Sequence, residues 1–157
     1  MFHKAFENES KLDRFVPPIF NKPARDHGAI VDLFRSHFLT KSLEESQWVQ
    51  LAKATFKIIS KKGESIIRYG DTGNVYYILA QGQCQITVYQ EGTDPQDPKL
   101  EDKVSRVKII EADPEGSPPK PMVGFGEIAL LYNDRRSASV RATADCSLWA
   151  LNGNVFK

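Results

Sequence analysis

Two glycines, a glutamate and an arginine lie close together between residues 123 and 142 and could bind an anion. Gly124 and Gly126 are separated by one residue and allow close backbone approach and unusual dihedral angles. Glu127 begins the run Glu-Ile-Ala-Leu-Leu, which predicts a single helical turn whose first N–H groups point toward Gly126. Arg136 lies at the start of the next predicted strand, where it can fold back over the same glycine and bind a phosphate.

Glu127 gives this candidate site a second kind of chemistry. A carboxylate repels a phosphate, but it accepts hydrogen bonds from the hydroxyl groups of a sugar. A guanidinium that can bind a phosphate, next to a carboxylate that can bind a sugar, predicts a nucleotide ligand. The same fragments also occur as an ordinary turn and an ordinary ion pair, so the spacing alone leaves that alternative open.

The residues before this segment predict helices. From about Asp26 onward, residues with helical spacing form one apolar stripe: Ile30, Leu33, Phe34 and His37. Ser42 and Glu45 have the spacing of a capping box, which predicts a second helix that opens there and ends near Lys57.

After Gly63 the apolar residues recur every second position, as they do in half-buried strands. The predicted strands are six short runs: 65–69, 76–80, 83–89, 104–110, 137–141 and 147–151. Because the strands follow the helices and do not alternate with them, the fold class is predicted to be α+β. Short strands about ten residues apart favour an antiparallel β-barrel or jelly roll.

Composition excludes several classes of protein. The chain has 157 residues, which suits one domain, and its formal net charge of +1 argues against a protein that coats nucleic acid. Three histidines and two cysteines lack zinc-site spacing, so no metal is expected. Cys84 and Cys146 could pair, but we expect reduced core residues. The absence of a long apolar run or a signal peptide predicts a cytoplasmic protein that does not enter a membrane.

The chain divides into a leader and one domain. Residues 1–27 are punctuated by prolines and are predicted to lie along the domain or to stay mobile. The segment 91–121 holds six of the nine prolines and is predicted to form two long loops around one strand, as an insertion in the domain.

Two motifs that follow one another in the chain together resemble the phosphate-binding cassette of the eukaryotic cyclic nucleotide-binding domain family. The first motif runs from Phe125 to Leu130 as Phe-Gly-Glu-Ile-Ala-Leu, and the second runs from Arg136 to Val140 as Arg-Ser-Ala-Ser-Val. The upstream glycine pattern of the family is also present: Gly63-Glu64, Ile66-Ile67, Gly70-Asp71, Gly73, the run 76–79 and Gly82. The resemblance covers about residues 28–157. Members of this family include the regulatory subunits of cAMP-dependent protein kinase and the cGMP-dependent kinases.

The resemblance implies a role for each matching residue. Glu127 is expected to bond the ribose 2′-hydroxyl beside the backbone of Gly126, and Arg136 is expected to clamp the cyclic phosphate. The backbone N–H groups of Ala129 and Ala138 are expected to complete the anion cradle.

The resemblance also assigns two further cassette positions and identifies two departures. Ile128 is expected to pack behind the cassette, and Ser137 stands where family members tune the choice of base. Alanine there is common among cAMP binders and a hydroxyl residue among cGMP binders, so serine is ambiguous. Arg135 replaces a proline that often precedes the cassette arginine. Helices that cover the base in this family are expected to be absent or barely begun at 153–157.

The function implied is that of a ligand-operated switch that is not an enzyme and needs no cofactor. Neither a phosphate-binding Gly-x-x-x-x-Gly-Lys-Ser/Thr loop nor a constellation of metal ligands occurs in the sequence. We expect cAMP as the favoured ligand, and a kinase catalytic subunit or an in-chain kinase domain as the partner. The alternatives are a cGMP-binding domain of a cGMP-dependent kinase and an interaction module whose pocket is degenerate.

Overall fold

The computed structural model describes residues 18–37, 39–127 and 134–156. Helix α1 spans Ala24–Ser36 and buries Ile30 and Phe34, so the predicted apolar stripe is confirmed. The helix begins two residues before Asp26, directly after Pro23, whose fixed φ suits the entry to a helix. His37 is extended and ends the helix.

Helix α2 spans Glu45–Ala54, and the predicted boundaries at both ends were wrong. Ser42 lies in a turn, and the capping residue is Glu44, whose backbone N–H donates to Oε1 of Gln47 over 2.9 Å. At the other end the Thr55 hydroxyl donates to the carbonyl of Ala52 over 2.7 Å, and the chain becomes extended. The helix ends earlier than predicted because a strand begins at Phe56, two residues after Ala54.

The described residues contain nine strands. Their bounds are β1 Phe56–Ser60, β2 Ser65–Ile67, β3 Thr72–Gly73, β4 Val75–Tyr89, β5 Val104–Ala112, β6 Val123–Phe125, β7 Asp134–Arg135, β8 Ala138–Ala142 and β9 Cys146–Asn152. Strands β1, β3, β6 and β7 had not been predicted, because each is too short or too irregular to show a period of two.

The two strands predicted at 76–80 and 83–89 form one long strand, β4. It bends at a register shift between Leu79 and Gln81 and at Gly82, which has a φ of +119°. A side chain at Gly82 would place its Cβ 2.7 Å from the carbonyl oxygen of Asp145. The bend therefore requires glycine for two reasons, the positive φ and the close approach of the backbone.

Strand β4 organises the sheet. The order is β1-β9-β4-β8-β2, all antiparallel, and β5 and β6 also pair with β4, while β3 and β7 form a separate ribbon. The half of β4 before the bend pairs with β9 and β6, and the half after it pairs with β8 and β5. The sheet thereby curls on itself, and the predicted α+β fold with an antiparallel jelly roll is confirmed.

The core has two parts. One lies between the helices and the sheet and includes Phe34, Tyr76 and Trp149, and the other fills the curled sheet around Leu79 and Phe125. None of the helices in the described ranges is long and apolar enough to cross a membrane.

The proline-rich segment is organised around the hairpin of β4 and β5. The strand predicted at 104–110 is present and continues to Ala112, and a 3-10 turn at Leu100–Lys103 precedes it. Before α1, the backbone N–H of Phe20 donates to the carbonyl of Lys53 over 2.8 Å, so residues near Phe20 lie along the domain. A short helix, α3, spans Gly153–Phe156.

Candidate functional site

The backbone of Arg136 is fixed between β7 and β8 by the turn that precedes β3. Its N–H donates to the carbonyl of Asp71 over 2.7 Å, and its carbonyl accepts from the N–H of Gly70 over 2.9 Å. Gly70 has a φ of +85°, which a residue with a side chain rarely adopts. This turn positions the arginine although β7 and β8 are short.

The guanidinium of Arg136 points into the fold and not into solvent. Its Nη2 donates to the carbonyl of Val75 over 2.8 Å, and its Cζ lies 6.0 Å from the centre of the Tyr77 ring. Burial lowers the pKa of Arg136 from its ordinary value, but an arginine remains charged in proteins. Among the described residues no carboxylate lies within 4.0 Å of this cation. A half-buried cation without a carboxylate is suited to bind an anion.

Two glycines border the guanidinium. A Cβ at Gly73 would lie 2.7 Å from Nε of Arg136, and a Cβ at Gly126 would lie 3.1 Å from its Nη1. Gly126 also has a φ of +80°, at the point where β6 ends and the chain turns toward Glu127. The structure therefore brings Gly126 and Arg136 together, across ten positions of sequence.

Glu127 follows this turn, and its carboxylate acts electrostatically on Tyr76 and on His37. Burial raises the pKa of Tyr76 above its ordinary value, and the nearby Glu127 carboxylate raises it further. Burial lowers the pKa of His37, and the same carboxylate opposes that shift. The rings of His37 and Tyr76 meet edge to face with centres 5.8 Å apart. Glu127 is thus electrostatically linked to the end of α1.

The structure describes two of the four remaining predicted site residues. Ser137 is exposed, and Ala138 is the first residue of β8, opposite Val88. Ile128 and Ala129, and with them most of the predicted helical turn, lie outside the described residues.

Sequence reasoning did not find three groups that surround the guanidinium of Arg136. The carbonyl of Val75 carries no sequence signal, because any residue could supply it. Tyr77 and Gly73 belong to the upstream pattern that carried the resemblance, but nothing in that pattern places them against an arginine. Over the described ranges, no group of three or more His, Cys, Asp or Glu residues is arranged to hold a metal ion.

Several curated proteins are similar to this chain, while no family model matches it. A cAMP-dependent protein kinase regulatory subunit of Dictyostelium discoideum is 29% identical over 155 residues, which are 98% of this chain and 42% of that protein. The subunit of the same name from Colletotrichum orbiculare is 31% identical over 147 residues, 92% of this chain and 35% of that protein. The chain therefore spans less than half the length of these relatives.

Solved structures show the same similarity. The cAMP-bound PfPKA-R has a TM-score of 0.69 at 29% identity, over 90% of this chain and 44% of that one. The regulatory domain of Toxoplasma gondii PKA, crystallised with cAMP, has a TM-score of 0.63 at 27% identity, over 87% of this chain and 45% of that one.

The curled antiparallel sheet with its preceding helices has the jelly-roll fold of cyclic nucleotide-binding domains. Within that class the chain is similar to the regulatory subunits of cAMP-dependent protein kinase. The resemblance predicted from the two cassette motifs is thereby confirmed.

Proposed function

We propose that this chain binds a cyclic nucleotide, with cAMP favoured over cGMP, and that binding operates a regulatory switch on a protein kinase. The observation that carries the proposal is the half-buried guanidinium of Arg136, which contacts a carbonyl and an aromatic ring but no described carboxylate. A cation held in this way is ready to receive the phosphate of a ligand. The cAMP named for two similar structures supports the choice of nucleotide.

Each site residue has a distinct task in this proposal. Arg136 binds the exocyclic oxygens of the cyclic phosphate through two parallel N–H bonds, while Glu127 accepts a bond from the ribose 2′-hydroxyl. The glycine at 126 lets the ligand approach the backbone, and the N–H groups of Ala129 and Ala138 complete the anion cradle. Ile128 packs behind the cassette.

The switch needs a ligand that binds one arrangement of the chain more tightly than another. The Glu127 carboxylate acts electrostatically on Tyr76 and on His37 at the end of α1. A sugar hydroxyl that bonds to this carboxylate leaves its charge unchanged but fixes its position, and so alters its interaction with these two side chains. We infer that binding shifts the helices relative to the sheet in this way. The chain then acts as a non-enzymatic regulator in the cytoplasm. Its partner is a kinase catalytic subunit or a kinase domain in the same protein.

Titration calorimetry with cAMP and with cGMP tests the proposal. We expect one-site binding of cAMP at micromolar concentration or below, and weaker binding of cGMP. Stronger binding of cGMP would instead favour a domain of a cGMP-dependent kinase. The absence of heat with both nucleotides, for a chain that melts cooperatively, would refute the switch and favour an interaction module.

Replacing Glu127 with alanine should weaken cAMP binding by about 10- to 100-fold, because a hydrogen bond to a charged group contributes about 1.5–3 kcal/mol. With 2′-deoxy-cAMP the same variant should show almost no loss, because that ligand lacks the hydroxyl. Glu101, an exposed residue of the 3-10 turn, provides the control Glu101→Ala. An equal loss with both ligands would contradict the assigned role.

Replacing Ser137 with alanine should weaken cGMP binding by about 3- to 10-fold and leave cAMP binding unchanged, because a neutral hydrogen bond contributes about 1 kcal/mol. The exposed position of Ser137 leaves its hydroxyl free to reach a guanine amino group. Ser105→Ala, at another exposed serine, is the matched control. Competition binding with both nucleotides measures the selectivity, and a parallel change for the two would exclude a role in base choice.

A further inference from the structure

We propose that Cys84 and Cys146 are a redox modification site, at which a peroxide converts the two thiols into a reversible intramolecular disulfide. The proposal is independent of nucleotide binding. The sequence left pairing of these two residues open and favoured reduced core side chains, and both are free thiols in the structure.

The two sulfur atoms are already neighbours. Sγ of Cys84 lies 3.7 Å from Sγ of Cys146, and both side chains are buried in the part of the core inside the curled sheet. A disulfide requires the sulfurs to close from 3.7 Å to about 2 Å, and we expect rotation of the two side chains to supply this movement.

The pair links strands that are not paired with one another at this point. Cys84 lies in β4 after the bend, opposite Ala142 of β8, whereas Cys146 begins β9, opposite Ser60 of β1. A bond between them would therefore join the two halves of the sheet at the place where β4 passes from one to the other.

Cys146 is the more accessible of the two buried thiols, since it is 3% exposed and Cys84 is 0% exposed. It lines an open surface groove of about 460 Å³ together with Gln83, Ala144 and Asp145, while Cys84 lies behind it and does not line the groove. The absence of a side chain at Gly82 keeps this route open, because a Cβ there would lie 2.7 Å from Sγ of Cys146.

The position of Cys146 beside the groove makes it the first of the two thiols to meet an oxidant. Its Sγ donates to the carbonyls of Gln83 over 3.3 Å and Ala144 over 3.2 Å, and these contacts fix its orientation. Burial and the neighbouring sulfur raise the pKa of the Cys84 thiol far above its ordinary value, so Cys84 stays protonated and is a poor first nucleophile.

The reaction balances with hydrogen peroxide as the oxidant. Sulfur of Cys146 attacks one peroxide oxygen, the O–O bond breaks, and the leaving oxygen departs as water, which leaves a sulfenic acid. Sulfur of Cys84 then attacks sulfur of Cys146, the S–O bond breaks, and the oxygen leaves as a second water with the Cys84 proton. Two electrons pass from the sulfurs to the peroxide, and a thiol reductant reverses the change.

Intact mass and peptide mapping of the whole chain after mild peroxide treatment test the proposal. We expect a loss of about 2 Da, a linked pair of peptides that contain Cys84 and Cys146, and full reversal by dithiothreitol. The oxidised chain should also melt about 5–10 °C higher, because the new bond closes a long loop of the unfolded chain. Two thiols that remain free, or disulfides found only between chains, would overturn the proposal.

Two variants separate the roles of the sulfurs. Cys84→Ala should accumulate a sulfenic acid on Cys146 that dimedone traps, whereas Cys146→Ala should leave Cys84 unmodified under the same native conditions. Equal oxidation of the remaining cysteine in both variants would contradict the assigned order. Should either variant fail to fold, the disulfide map of the unaltered chain still decides whether the site exists.

Discussion

Replacing Arg136 with alanine is expected to weaken cAMP binding by about 100- to 10,000-fold, because two charge-assisted hydrogen bonds to the phosphate are lost together. No described carboxylate shares this guanidinium, so its removal leaves no acidic group unpaired. The fold loses one side-chain hydrogen bond, to the carbonyl of Val75, and should therefore be only slightly destabilised. Titration calorimetry measures the affinity, and circular dichroism with thermal melting checks that the variant is folded.

The neighbouring residue Arg135 provides a matched control. Arg135 is exposed, whereas the Arg136 guanidinium lies half-buried against Val75 and Tyr77. Arg135→Ala removes the same charge from the same turn and is expected to change affinity by less than about threefold, since an exposed charge is screened. An equal loss in the two variants would mean that general electrostatic attraction, and not a clamp, holds the ligand.

Arg136→Lys refines the same test. Lysine keeps the positive charge but has no planar fork, so it cannot bind the Val75 carbonyl and a phosphate in the same geometry. We expect it to restore about a tenth or less of the affinity lost in the alanine variant. Full recovery of affinity would show that charge alone is sufficient.

Replacing Gly124 with alanine is expected to lower the free energy of unfolding by about 2–4 kcal/mol, which denaturant unfolding measures. Gly124 lies in β6 opposite Ile78, and a Cβ there would overlap the hydroxyl of Tyr76 and lie 2.6 Å from its Cζ. Tyr76 is fully buried and cannot move away without disturbing the packing between the helices and the sheet.

A second substitution shows whether this contact is the cause. The hydroxyl of Tyr76 is buried without a hydrogen-bond partner in the described part of the chain, so Tyr76→Phe alone should cost little. In the Tyr76→Phe background, Gly124→Ala should be less damaging by about 1 kcal/mol or more. Purely additive effects of the two substitutions would contradict the proposed overlap.

Gly28 is the control for adding a methyl group to a glycine. It lies within α1, and a Cβ there would have no atom within 4 Å apart from its chain neighbours and the backbone of its own helix. Gly28→Ala should therefore stabilise the chain by about 0.5–1 kcal/mol, through the better helix propensity of alanine.

The sequence by itself determined the features that repeat locally. The stripe through Ile30 and Phe34 predicted α1, alternation through Cys84 and Ile86 predicted the second half of β4, and strands placed after helices predicted the fold class. These features could be read from one sequence because helix and strand each impose a short, fixed period on the residues that face the core.

Helix ends and short strands could not be read in this way. Ser42 had the spacing of a helix cap, but Glu44 caps α2. The side chain of either residue can accept a hydrogen bond from the backbone of the first helical turn, and only the path of the chain decides which one does. The strand at Phe56–Ser60 was hidden because its apolar side chains continue the helical stripe of α2. Its pairing partners in β9 lie 86 to 94 positions later in the sequence.

The candidate site shows the same division. Residue types and order were sufficient to single out Gly126, Glu127 and Arg136. Only the tertiary structure decided that the guanidinium rests on the carbonyl of Val75 beside Gly73, and that two cysteines 62 positions apart come within 3.7 Å. Such contacts form between segments distant in sequence, and they follow from how the bent strand β4 pairs with its neighbours, which no local pattern of residues encodes.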